Sequence, residues 1–78
     1  MFLEVKKADY ITDYKLRLEF NEGTVMSVDL EHDLTGKVFE PLKNKEYFKA
    51  FSVKYNTIEW DNGADFAPEY LFEIGVRI

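Results

Sequence analysis

Hydrophobic and polar positions alternate most cleanly between Tyr14 and Phe20, where Leu16, Leu18 and Phe20 fall on one side and Lys15, Arg17 and Glu19 on the other. A period of two is the signature of a strand with one wet face. Phe2–Tyr10 reads as a preceding strand, joined through the short polar connection Ile11-Thr12-Asp13, and Thr24–Leu30 as a following one with Met26, Val28 and Leu30 inward. Asn21-Glu22-Gly23 supplies the loop between the last two, its glycine free to take the left-handed conformation of a bulged hairpin. Three sequential strands with short turns predict an antiparallel meander.

The pattern then changes. Glu31–Gly36 reads as a single turn closed by glycine, and Pro41 is expected to keep the next stretch extended. Asn44 is a good N-cap for a short helix through about Ala50, with Tyr47, Phe48 and Phe51 on one apolar face. Val53–Tyr55 and Thr57–Trp60 predict a small hairpin around Asn56, followed by a turn at Asp61-Asn62-Gly63. Pro68 suits the first position of a second short helix, with Glu69 near its positive end, Leu71, Phe72 and Ile74 on its buried side and Gly75 as its stop. The fold class is therefore α+β: a mostly antiparallel sheet, made of a three-stranded meander plus a small hairpin, with two short helices packed on one face.

Seventy-eight residues allow one domain, spanning 1–78, and a thin core. The chain has no cysteine and one histidine, which excludes a disulfide framework and nearly excludes a structural zinc site of the usual ligand types. Aromatic residues make up 17% of the chain and must supply much of the buried area, so Trp60, Phe66, Tyr70 and Phe72 are read as core rather than as a binding platform. Neither a signal-peptide h-region nor a membrane-spanning stretch is apparent, and a cytoplasmic location is expected.

Net charge is −5, which disfavours nucleic acid as a partner. The charge is segmented, however. Residues 21–36 carry Glu22, Asp29, Glu31 and Asp33 without a base, whereas residues 37–55 carry Lys37, Lys43, Lys45, Lys49 and Lys54 against Glu40 and Glu46. That middle segment either pairs internally with its acidic flanks or offers a positive face. Lys43, Lys45 and Lys49, projecting from the first helix, are the candidate partner-binding residues.

Catalytic chemistry finds little support in the sequence. His32 between Glu31 and Asp33 suggests a metal ligand or an acid–base group, but it has no second histidine or cysteine and is read as a polar turn residue. Asp61, Asn62, Gly63 and Asp65 lack the spacing of a calcium loop. Ser27 and Ser52 lie in predicted strands without a histidine partner. No catalytic residue, metal ligand or cofactor site is assigned.

Ile58-Glu59-Trp60-Asp61-Asn62-Gly63-Ala64-Asp65-Phe66-Ala67-Pro68-Glu69-Tyr70-Leu71-Phe72 resembles the I-x-W-x-x-G-x-D-[FILV]-x-P-E-x-L-[FY] signature of a small bacterial family, domain of unknown function 2442. Leu18-Glu19-Phe20-Asn21-Glu22-Gly23 resembles its L-x-F-x-[DE]-G hairpin, and Leu42-Lys43-Asn44-Lys45-Glu46-Tyr47-Phe48 its L-x-[DN]-x-x-x-F helix start. Asn44 stands where the family often has aspartate. The resemblance implies no established activity. It does imply similarity to a domain that precedes a helix-turn-helix in some proteins, and a gene neighbourhood like that of toxin–antitoxin pairs. No such DNA-binding segment follows in these 78 residues. The expectation is a non-enzymatic interaction or regulatory module, antitoxin-like, that binds a small protein encoded nearby. Self-association into a homo-oligomer stays open, because the pattern does not decide whether Val76-Arg77-Ile78 packs on its own chain or on another. The alternative is a small-molecule-binding or hydrolytic domain using carboxylates and His32.

Overall fold

Burying every second residue of three consecutive segments forces them into one sheet. In the computed structural model, which describes residues 2–78, β1 (Val5–Thr12), β2 (Lys15–Phe20) and β3 (Val25–Asp29) form an antiparallel meander. Leu16 lies opposite Val28 and Leu18 opposite Met26, and all four are buried. On the other face, Lys7 stands opposite Glu19, Asp9 opposite Arg17 and Lys15 opposite Asp29. Each of these cross-strand pairs joins opposite charges, which favours this register over its neighbours.

β1 runs later than the pattern predicts, continuing through Ile11 and Thr12. Asp13 takes a left-handed backbone (φ 47°), so the reversal needs only Asp13 and Tyr14, and register shifts around Lys6 and Ile11 absorb the extra residues. Gly23 does adopt positive φ (98°), as its hairpin requires.

Pro41 does not hold its surroundings extended. It lies in the 3-10 turn Glu40–Lys43, where its fixed φ suits the first turn of a helix and its missing N–H costs nothing. A second 3-10 turn, Glu31–Asp33, occupies the predicted single turn. The helix α1 (Lys45–Lys49) starts at Asn44, whose Oδ1 accepts the Tyr47 N–H at 3.2 Å. β4 (Ser52–Lys54) and β5 (Thr57–Glu59) pair as a separate hairpin, turning through Tyr55 and Asn56, both at positive φ. Pro68 opens α2 (Pro68–Ile74).

The chain end completes the sheet. β6 (Val76–Arg77) pairs antiparallel with β3, giving the order β1-β2-β3-β6, so this segment packs on its own chain. Gly75 ends α2 without left-handed backbone, since its φ is −72°. Space is what it supplies: a Cβ there would lie 2.8 Å from Met26 Sδ and 3.0 Å from the Leu71 carbonyl oxygen.

Both helices face the inner side of the large sheet. Phe48 of α1 packs edge-on against Tyr14 of the first hairpin, and Phe72 of α2 edge-on against Phe20 of β2. Trp60 is 1% exposed and, with Phe20, Phe48 and the buried leucines, fills the space between. Tyr70 departs from the expected core: it is exposed and reaches across to the Glu31–Asp33 turn instead.

Candidate interaction face

The β1–β2 turn and the start of α1 are about thirty residues apart in sequence, yet two aromatic side chains bring them together. Tyr10 and Tyr14 flank the turn and pack on Phe48. Their rings also meet the helix cations: Lys45 Nζ lies 5.8 Å from the Tyr14 ring centroid and Lys49 Nζ 5.1 Å from that of Tyr10. Within about 6 Å such placement is attractive, and it limits the freedom of two otherwise flexible ammonium groups. The Tyr14 hydroxyl donates to the Lys43 carbonyl, which ties the residue before the Asn44 cap to the same cluster.

The three candidate lysines are thus gathered, but not in the way the helix expectation had them. Lys43 is the last residue of the 3-10 turn rather than a member of α1. Lys45 and Lys49 are one turn apart on α1, and both are paired: Lys45 with Asp13 Oδ1 at 3.1 Å, Lys49 with Glu46 Oε2 at 3.3 Å. Lys43 makes no salt bridge among the described residues. The hydrogen bond to Asp13, and then that carboxylate's charge, hold the Lys45 pKa above its ordinary value. Lys45 and Lys49 each hold one carboxylate, whereas Lys43 joins the cluster through its backbone carbonyl and is exposed.

The residues read as candidate chemistry mostly have structural partners. His32 is exposed on the Glu31–Asp33 turn. Asp29 Oδ1 accepts the Glu31 N–H at 3.0 Å, and Asp33 accepts the Tyr70 hydroxyl, so the carboxylates around His32 pin the turn to itself and to α2. The bond to Asp33, with a lesser part from burial, raises the Tyr70 pKa. Among the described residues no group of three or more His, Cys, Asp or Glu side chains is arranged to hold a metal ion. Asn62 spends both ends of its amide on the fold, donating to the Val38 carbonyl at 2.8 Å and accepting the Ala64 N–H at 3.0 Å. Gly63, at φ 89°, makes the turn. The Thr57 hydroxyl, buried, donates to the Phe66 carbonyl. Ser27 and Ser52 lie in β3 and β4.

A depression of about 400 Å³ has Lys37, Glu40 and Pro41 in its lining. Hydrolysis by paired carboxylates needs two acids across a cleft, and among the described residues Glu40 is the one acid of that lining. Among the described residues no buried side-chain nitrogen or oxygen lacks a hydrogen-bond partner. No helix among the described residues is long and apolar enough to cross a membrane.

The fold is that of a small α+β domain whose exposed features, among the described residues, include charge pairs, a lysine–tyrosine cluster and the β6 edge of the large sheet. The family described as protein of unknown function DUF2442 matches residues 5–76, nearly the whole chain, and the chain belongs to that family. No curated protein and no solved structure matches it.

Proposed function

We propose that this domain is a non-enzymatic interaction module that acts in the bacterial cytoplasm, antitoxin-like in binding a small acidic protein encoded nearby. The observation that supports this reading is the placement of the Lys45 and Lys49 ammonium groups over the Tyr14 and Tyr10 rings, beside exposed Lys43, whose carbonyl accepts the Tyr14 hydroxyl. A partner carboxylate gains most from cations that are already ordered, because less side-chain freedom is lost on binding. Tyrosine beside a cation also provides large contact area at low entropic cost. Exposed ion pairs such as Lys49–Glu46 hold their cations weakly, so a partner's acid competes for them easily.

Co-purification of the neighbouring gene product with the wild-type chain and with a Lys43→Glu/Lys49→Glu variant tests this. The expected result is a stoichiometric complex with the wild type that weakens as salt rises, and loss of most of the partner with the variant, whose circular dichroism is unchanged. Equal recovery with both chains folded removes this face from the interface.

A further inference from the structure

β6 is the terminal strand of the large sheet: Val76 and Arg77 pair with Ser27 and Met26 of β3, and the Ile78 N–H donates to the Val25 carbonyl at 3.1 Å. Backbone groups of an antiparallel pair alternate in direction along the strand. Because Ile78 bonds inward to β3, Arg77 turns its N–H and C=O outward, away from the sheet. The opposite edge is protected. β1 is broken by register shifts around Lys6 and Ile11, and its start is covered by the β4–β5 hairpin, the Val5 N–H donating to the Asn56 carbonyl at 2.8 Å. Bulges and covering segments are the ordinary means of closing an edge to added strands. β6 has neither among the described residues, and its protection is limited to its two-residue length and the charge of Arg77. Its side chains are instead suited to contact: Val76 is 68% and Ile78 72% exposed, and Arg77 is exposed with no salt bridge among the described residues.

We propose that this edge accepts an extended segment of a partner protein as a fifth strand, with apolar residues opposite Val76 and Ile78 and an acidic residue opposite Arg77. Charge selects that occupant over a second copy of the chain. A two-fold pairing that used residues 76 to 78 of both copies would set Arg77 directly opposite its own equivalent, and like charges so placed destabilise a strand pair. An acidic residue there meets a guanidinium that no carboxylate of its own chain holds. The added strand makes main-chain bonds to Arg77, while the alternation of its side chains provides selectivity. The surface is separate from the lysine–tyrosine cluster, and its test is independent of that proposal.

The probe is a seven-residue peptide, capped at both ends, with a Val-Glu-Val centre flanked by serine and threonine, titrated into the isotope-labelled full chain and followed by amide NMR shifts. A second peptide replaces the central glutamate with lysine, and a third carries an N-methyl group on that glutamate. Saturable shifts are expected at residues 25–27 and 76–78, with the glutamate peptide preferred over the lysine peptide about fivefold, the scale of one exposed charge contact. Arg77→Glu should invert the preference, N-methylation should abolish binding, and Lys43→Glu/Lys49→Glu should change nothing. The proposal is overturned if no saturable shift occurs by about 1 mM peptide, if the order of the two peptides survives Arg77→Glu, or if the lysine reversal removes binding. Self-association of the free chain through the same amides would assign the edge to a second copy and overturn it as well.

Discussion

Trp60 is enclosed by Phe48, Phe51 and Phe66, with ring centroids at 5.7, 6.5 and 6.0 Å. Its indole N–H donates to the Phe48 carbonyl at 2.9 Å, so the one polar atom of the ring is satisfied inside the core. One side chain therefore joins α1 to the segment that follows β5. Trp60→Ala should lose about 3–5 kcal/mol, from transfer free energy and from a cavity that so thin a shell closes poorly. Trp60→Phe should lose less, since it keeps much of the packing and forfeits the hydrogen bond. Urea denaturation of both variants checks the order, and a midpoint unchanged by the alanine substitution would contradict the enclosure. Tyr70 teaches the complementary lesson. Its place in an aromatic-rich helix suggests core, but its hydroxyl carries the ring outward to Asp33. Polarity at the tip of a side chain is invisible to a pattern that counts tyrosine as apolar.

At the scale of elements, the strands that were legible in the sequence are those with one buried face. β2 and β3 show a strict period of two because Leu16, Leu18, Met26 and Val28 must all point inward. Asn44 and Pro68 announced the helices through local chemistry, a side-chain cap and a fixed φ. β6 carried no such mark. Two residues have no period, and its pairing with β3 is a property of the closed sheet. The lysine–tyrosine cluster was half legible: the lysines could be named, but Asp13 lies 32 residues from Lys45 and nothing local predicts their meeting. Gly75 stops the helix where the pattern places it, but the reason glycine is needed there lay outside the pattern, being room for Met26. Gly75→Ala should destabilise the domain by about 1–3 kcal/mol, because the added methyl meets the Met26 thioether and the Leu71 carbonyl. Gly75→Ala combined with Met26→Ala should cost less than the sum of the two single changes. A double-mutant cycle in chemical denaturation measures that difference, and additivity would show that the close approach is harmless.

At the scale of the whole molecule, two contacts between distant segments depend on a proton. The Lys45 ammonium holds the β1–β2 turn to α1 through Asp13, and the Tyr70 hydroxyl holds α2 to the Glu31–Asp33 turn. Both groups have pKa values raised in the folded state, Lys45 by the bond to Asp13 and Tyr70 by the bond to Asp33. A raised pKa means that the folded chain binds the proton more tightly than the unfolded one. The stabilisation is therefore complete below about pH 10, where both groups are protonated even in the unfolded chain, and it is lost as pH rises through the folded values. Both groups meet solvent, so the loss should be small and weaker in high salt. Urea midpoints measured from pH 8 upward should fall above about pH 10, and Tyr70→Phe should flatten the fall; a flat wild-type profile would deny these contacts a role.

The sheet order also sets a sequence of events in time. β1, β2 and β3 are joined by short turns and can pair as soon as they exist, whereas β6 must return to β3 from beyond both helices and the β4–β5 hairpin. Pairings that close long loops come late in folding, because the chain's freedom is given up before the contact rewards it. Until β6 arrives, the bare edge belongs to β3, and Met26 lacks the Gly75 backbone that packs against it. On that order it is the third strand, not the fourth, that offers its edge to a stranger before the helices dock.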